Sequence, residues 1–90
     1  MMDIVYGKAF LKSAKKLPVQ QQRKLAGLLE LLCENPFHSP LHTKQLSGEL
    51  VGFYSFRIAR EWRVIFQFVN IYKVKLVIVG HRKDIYRKVK

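Results

Sequence analysis

Ninety residues leave room for one domain with a modest core and exclude a second, because a chain this short buries only about 60–65% of its unfolded surface. Hydrophobic residues make up 49% of the chain, enough to fold, which excludes a disordered segment. Seventeen Lys and Arg against six Asp and Glu give a net charge of +11, so the expected partner is a polyanion: nucleic acid first, then an anionic membrane surface or an acidic protein.

In chain order, Asp3-Ile4-Val5-Tyr6 reads as a short strand that Gly7 breaks. Lys8 to Leu17 places Ala9, Phe10, Ala14 and Leu17 at helical spacing, with lysines opposite. Pro18 suits the end of that helix and the first turn of the next. Gln20 to Glu34 is the clearest helix, with Leu25, Leu28, Leu29 and Leu32 on one face, and Asn35-Pro36 stops it. Residues 36–50 read as loop. The period then drops to two over Phe53–Ala59, Trp62–Val69 and Tyr72–Val79, three strands rich in aromatic and β-branched residues. Short connections at Arg60-Glu61 and Val69-Asn70-Ile71 make them an antiparallel meander, followed by a basic tail. The predicted architecture is α+β over residues 1–90 as a single domain: an N-terminal strand and a helical hairpin packed on an antiparallel sheet of about four strands. The second sheet face is left open to solvent or a partner.

Charge divides unevenly. Residues 1–50 hold seven Lys and Arg and four acids, whereas residues 57–90 hold ten and two, so the functional face is expected from the second half. Alternation in the first long strand sends Tyr54, Phe56 and Ile58 one way and Ser55 and Arg57 the other. The lone Cys33 sits in an apolar run and reads as a buried structural thiol. Met1 to Tyr6 lacks the pattern of a signal peptide, and no apolar run approaches the roughly 20 residues of a membrane helix, so a cytoplasmic, membrane-free protein is expected. His38, His42, His81 and Cys33 form no recognisable metal set, and neither a Gly-rich phosphate loop nor a hydrolase triad is present.

Phe53 to Phe66, reading FYSFRIAREWRVIF, resembles the central hairpin of the RelE/ParE toxin superfamily. The Leu46-Ser47-Gly48 step before it fits the same pattern, and the ending VGHRKDIY, Val79 to Tyr86, resembles the RelE branch. The resemblance spans nearly the whole chain. It implies a type II toxin that enters the ribosomal A site and cuts mRNA, using basic groups on the sheet with a C-terminal arginine and tyrosine. By position, Arg57 and Arg63 match the sheet cations, Arg82 the late arginine and Tyr86 the terminal tyrosine. Ser55 departs, standing where RelE members often have lysine. The resemblance further implies an acidic, partly disordered antitoxin that wraps the basic toxin. No cofactor, metal or small-molecule ligand is expected.

Chemistry supports the same roles independently. Metal-free RNA cleavage sends the 2′-hydroxyl onto the adjacent phosphate, and needs a base, positive charge at the phosphorane and an acid for the leaving 5′-oxygen. Arginine matches phosphate oxygens with its planar fork but gives up no proton, so Arg57, Arg63 and Arg82 are expected as clamps. Tyr86 is a candidate base or a stacking platform, and also a plain anchor for the tail. His81 is a candidate proton carrier that alternates with Arg82 along the strand. His42 and Lys44, before the sheet, could reach either rim. Lys44, Arg60, Lys73, Lys75, Lys83 and Arg87 are expected to follow the RNA backbone. Trp62 either packs under the sheet or stacks on a base. Two rival readings remain: a ParE-like gyrase inhibitor, which shares the fold but generally lacks the basic-plus-tyrosine end, and a non-catalytic basic binding module.

Overall fold

The computed structural model describes residues 1–89. Its elements are β1 (Asp3–Tyr6), α1 (Lys8–Ala14), α2 (Val19–Glu34), β2 (Lys44–Gln45), β3 (Tyr54–Ile58), β4 (Trp62–Asn70), β5 (Lys73–His81) and α3 (Ile85–Lys88). Single 3-10 turns lie at Ser39–Leu41 and Gly48–Leu50. Lys90, counted in the basic tail, lies outside the described residues.

The expected meander is present, with β3, β4 and β5 antiparallel in sequence. The sheet is larger and mixed: five strands in the order β1-β5-β4-β3-β2. β1 runs parallel to β5, from Asp3 opposite Lys73 to Tyr6 opposite Leu76, although both helices and β2 to β4 separate them in the chain. β2 lies inside the expected loop and pairs Lys44 with Ser55 and Gln45 with Tyr54. Two polar residues are too few to show a period.

α1 ends three residues before the predicted Leu17. The Ser13 hydroxyl bonds back to the Ala9 carbonyl, and the chain then tightens into i→i−3 bonds, Lys16 N–H to Ser13 and Leu17 N–H to Ala14. Leu17 stays buried from that turn. Pro18 precedes α2 as its N-cap, and α2 buries Leu25, Leu28 and Leu32 on the predicted face. These leucines and Phe10 cover Phe56, Val64, Phe66, Val74, Leu76 and Val79 from the sheet.

A bulge in β5 decides what the far face carries. Ile65 pairs with Ile78 and Phe66 with Leu76, so Val77 is passed over. Val74, Leu76 and Val79 therefore all reach the core, while Val77 and Ile78 join a second cluster. That cluster centres on Leu46, Ile65 and Ile85, so the face predicted to be open is partly roofed by α3 and by the segment after β2. Gly80 permits this, since a Cβ there would lie 3.0 Å from Ile85 Cδ1.

The edge of β5 is shared. Gly7 N–H donates to the Leu76 carbonyl at 3.0 Å, an approach only glycine allows because a Cβ would stand 2.6 Å from that oxygen. Beyond β1, α1 takes over: the Ser13 hydroxyl accepts the Val79 N–H at 3.1 Å. Ser13→Ala would strand that donor in a nearly dry place, at an expected cost of about 1–3 kcal/mol. Urea denaturation checks this as a lower midpoint at unchanged m-value. Ile85 is fully buried and anchors a helix of four residues, too short to persist alone. Ile85→Ala is expected to lose about 2–4 kcal/mol of packing and undock α3. Hydrogen exchange should then accelerate at residues 85–89 and stay slow in β4.

Candidate nucleic-acid interface

Arg57 on β3 and Arg63 on β4 stand directly opposite each other on the sheet face away from α1 and α2. Cross-strand neighbours lie about 5 Å apart at Cβ, and like charges so placed repel. The arrangement is costly in the free protein and favourable once an anion lies over it. Arg57 is exposed; Arg63 is half-buried and held. Its Nη1 donates to the carbonyls of Arg60 at 2.7 Å and Trp62 at 3.2 Å.

The Arg60 carbonyl belongs to the β3–β4 connection, Ala59-Arg60-Glu61, which Ala59 enters at a left-handed φ of 56°, and Trp62 follows it as the first residue of β4. In the same connection the Glu61 carbonyl accepts the Arg82 N–H at 2.7 Å. One turn thus fixes the head of Arg63 and the backbone of Arg82, whose side chain is exposed. Gly80 faces Arg63 across the β4–β5 ladder, and the Ile85 side chain sits over it. α3 brings the half-buried Tyr86 against the cluster on this same face.

Lys44 lies opposite Ser55 on this face. Ser55 is only 3% exposed, so a lysine there would be desolvated beneath the covering segment, and Lys44 supplies the neighbouring cation from the edge strand instead. Lys73 and Lys75 share the face but lie towards the far end of β5, Lys75 about 16 Å along the strand from Gly80, too far to share a phosphate with the arginine pair. Arg60 and Lys83 are exposed at the turns, and Arg87 is exposed but paired with Asp84 at 3.0 Å.

His81 is not brought to this group. The bulge turns it to the helix side, where its ring meets Trp62 edge-on at 5.4 Å. Its Nδ1 accepts the Lys83 N–H at 3.2 Å, and its Nε2 lies 3.8 Å from the Glu61 carboxylate. Trp62 packs against the main core. His42 is exposed at a left-handed φ of 50°, two residues before Lys44. Gly80 and Ile85 were not candidates from sequence; a glycine inside a strand pattern marks a close approach and was the available signal. Among the described residues no three His, Cys, Asp or Glu side chains gather as a metal set, and no helix is long and apolar enough to cross a membrane.

No protein-family model matches the sequence, and no curated protein is similar to it in sequence. Solved structures do match. YafQ from E. coli strain BL21(DE3) superposes with a TM-score of 0.78 at 20% identity, covering 96% of this chain and 99% of its own. A YoeB/ParE toxin from Agrobacterium tumefaciens gives 0.77 at 16% identity, over 90% and 99% of the two chains. The archaeal RelE–RelB complex from Pyrococcus horikoshii OT3 gives 0.74 at 20% identity, over 90% and 94%. The likeness runs end to end and is one of fold: this chain has the α+β fold shared by RelE, YoeB/ParE and YafQ toxins.

Proposed function

We propose that this protein is the toxin of a type II toxin–antitoxin system and cleaves mRNA in the ribosomal A site. The observation that carries the reading is the opposed Arg57–Arg63 pair, a concentration of charge that an anion lying over it would stabilise. In the proposed reaction the 2′-hydroxyl attacks the adjacent phosphorus and the bond to the 5′-oxygen breaks, giving a cyclic phosphate and a free 5′-hydroxyl. Arg57, Arg63 and Arg82 hold the phosphate oxygens as negative charge grows on them. Tyr86, on the arginine face, takes the 2′-proton as its phenolate, and water protonates the departing 5′-oxygen. A site built of fixed cations and one phenol supplies charge more readily than alignment. Binding on a ribosome-held mRNA supplies alignment, which is worth several orders of magnitude in rate.

The same charge calls for a neutralising partner. The archaeal RelE is solved with RelB, and we assign this chain an antitoxin of that kind, acidic and ordered on binding.

Primer extension on mRNA with and without 70S ribosomes tests the reading. Cleavage is expected only with ribosomes. Arg57→Ala and Arg82→Ala, both at exposed positions, should each lower the rate by about 10²–10³ with the fold intact. Tyr86→Phe should lower cleavage while keeping mRNA affinity. Growth arrest without cleavage, insensitive to Tyr86→Phe, would replace this reading with gyrase inhibition; neither arrest nor cleavage would leave a binding module.

A further inference from the structure

Arg57 and Arg63 stand on sheet strands, whereas Arg82 stands just past the end of β5, in the turn that leads to α3. Its side chain is exposed, and no described ion pair takes its guanidinium. Where the fork points is therefore set by the backbone it grows from. That backbone is held at three successive amides. The Arg82 N–H donates to the Glu61 carbonyl at 2.7 Å, the Lys83 N–H to His81 Nδ1 at 3.2 Å and the Asp84 N–H to the His81 carbonyl at 3.0 Å. His81 supplies two of these acceptors, one of them from its ring. The ring is itself placed. It meets Trp62 edge-on at 5.4 Å across the β4–β5 ladder, and Trp62 packs on the main core.

We infer that His81 is a positioning residue for Arg82: its Nδ1 closes the turn that aims the guanidinium at the phosphate, while the ring itself touches no reacting atom. The inference rests on the proposed cleavage, in which Arg82 is a clamp. The bulge in β5 puts the ring on the helix side with Trp62, away from the arginine face, so it is badly placed to pass a proton to RNA lying there. What the ring offers instead is the geometry of an Asx turn, in which a side-chain acceptor takes the N–H two residues further on. Accepting at Nδ1 leaves Nε2 to carry the ring proton of the neutral form, 3.8 Å from the Glu61 carboxylate. Lys83 is exposed, so without the ring acceptor its N–H turns to water. The loss then falls on aim rather than on folding, and a clamp displaced by about 1 Å costs up to about 10²-fold in rate.

Single-turnover cleavage on mRNA-programmed 70S ribosomes, run beside amide hydrogen exchange read by NMR, tests this. His81→Phe keeps a ring against Trp62 and removes the acceptor. Its cleavage rate should fall by about 10–100-fold, while the half-saturating protein concentration stays within about twofold. His81→Asn can set its Oδ1 where Nδ1 stood and should recover most of the rate. The Arg82 and Lys83 amides should stay protected in the native protein and the asparagine variant, and exchange faster in the phenylalanine one. An asparagine variant as slow as the phenylalanine variant overturns the inference and makes His81 a proton carrier. A phenylalanine variant as fast as the native protein also overturns it, leaving a packing role. Should the phenylalanine variant fail to fold, His81→Ala against His81→Asn supplies the same comparison. If the native protein cleaves nothing, the nuclease reading fails, yet exchange still decides the clasp: equal protection of both amides in the native and phenylalanine proteins overturns it.

Discussion

The single passed-over residue in β5 governs much of what this protein can do. Without it, strict alternation from Val74 and Leu76 would continue through Ile78 to Gly80 and Arg82 on the core side. His81 would then point to the arginine face. With Val77 passed over, the pattern shifts by one: Val79 and His81 go to the helix side and Gly80 faces Arg63 across the ladder. A one-residue slip exchanges every later side chain between faces. The bulge therefore sets which chemistry meets the arginines, and it trades an imidazole for a glycine on which Ile85 can dock.

That exchange gives the arginine face its character. It is built of forks and one phenol, with a small apolar cluster beside them, and the Arg63 head is held by carbonyls. Arg63 rests on the carbonyls of Arg60 and Trp62, and the Glu61 carbonyl between them in sequence holds the Arg82 backbone. Carbonyl anchoring orients a guanidinium without neutralising it, whereas a carboxylate would have cancelled the charge needed for phosphate. The three described ion pairs fit this division: two are histidine–glutamate contacts and the third is Asp84–Arg87, so none takes Arg57, Arg63 or Arg82.

Local signals made most of the fold legible. The leucine stripe of α2, the Asn35-Pro36 stop and the aromatic alternation of β3 to β5 each act within a few residues, and each is realised. What escaped is set by partners distant in sequence. β1 reads as a strand, but its parallel partner β5 lies about 70 residues further along the chain, beyond both helices and three strands. β2 has two residues and no period. The tail reads as basic and becomes a docked helix, because one isoleucine finds the space above Gly80. At the site, alternation along β3 and pairing with β4 place Arg57 and Arg63 correctly, since no bulge intervenes there. The face of His81 is not set by alternation alone, because it depends on the bulge, around which Val77 and Ile78 both pack against the second cluster.

Ser55 stands where packing leaves no place for a solvated charge. Nearly buried between the strand ladder and the covering segment, it is where a lysine would lose its water. Lys44, exposed on the edge strand one place outward, lies on the same face. From there its charge reaches the arginine face without that burial cost, because charge acts over a Debye length of about 10 Å whereas desolvation is local. Positive charge on such a surface is therefore under looser positional constraint than the apolar residues beneath it.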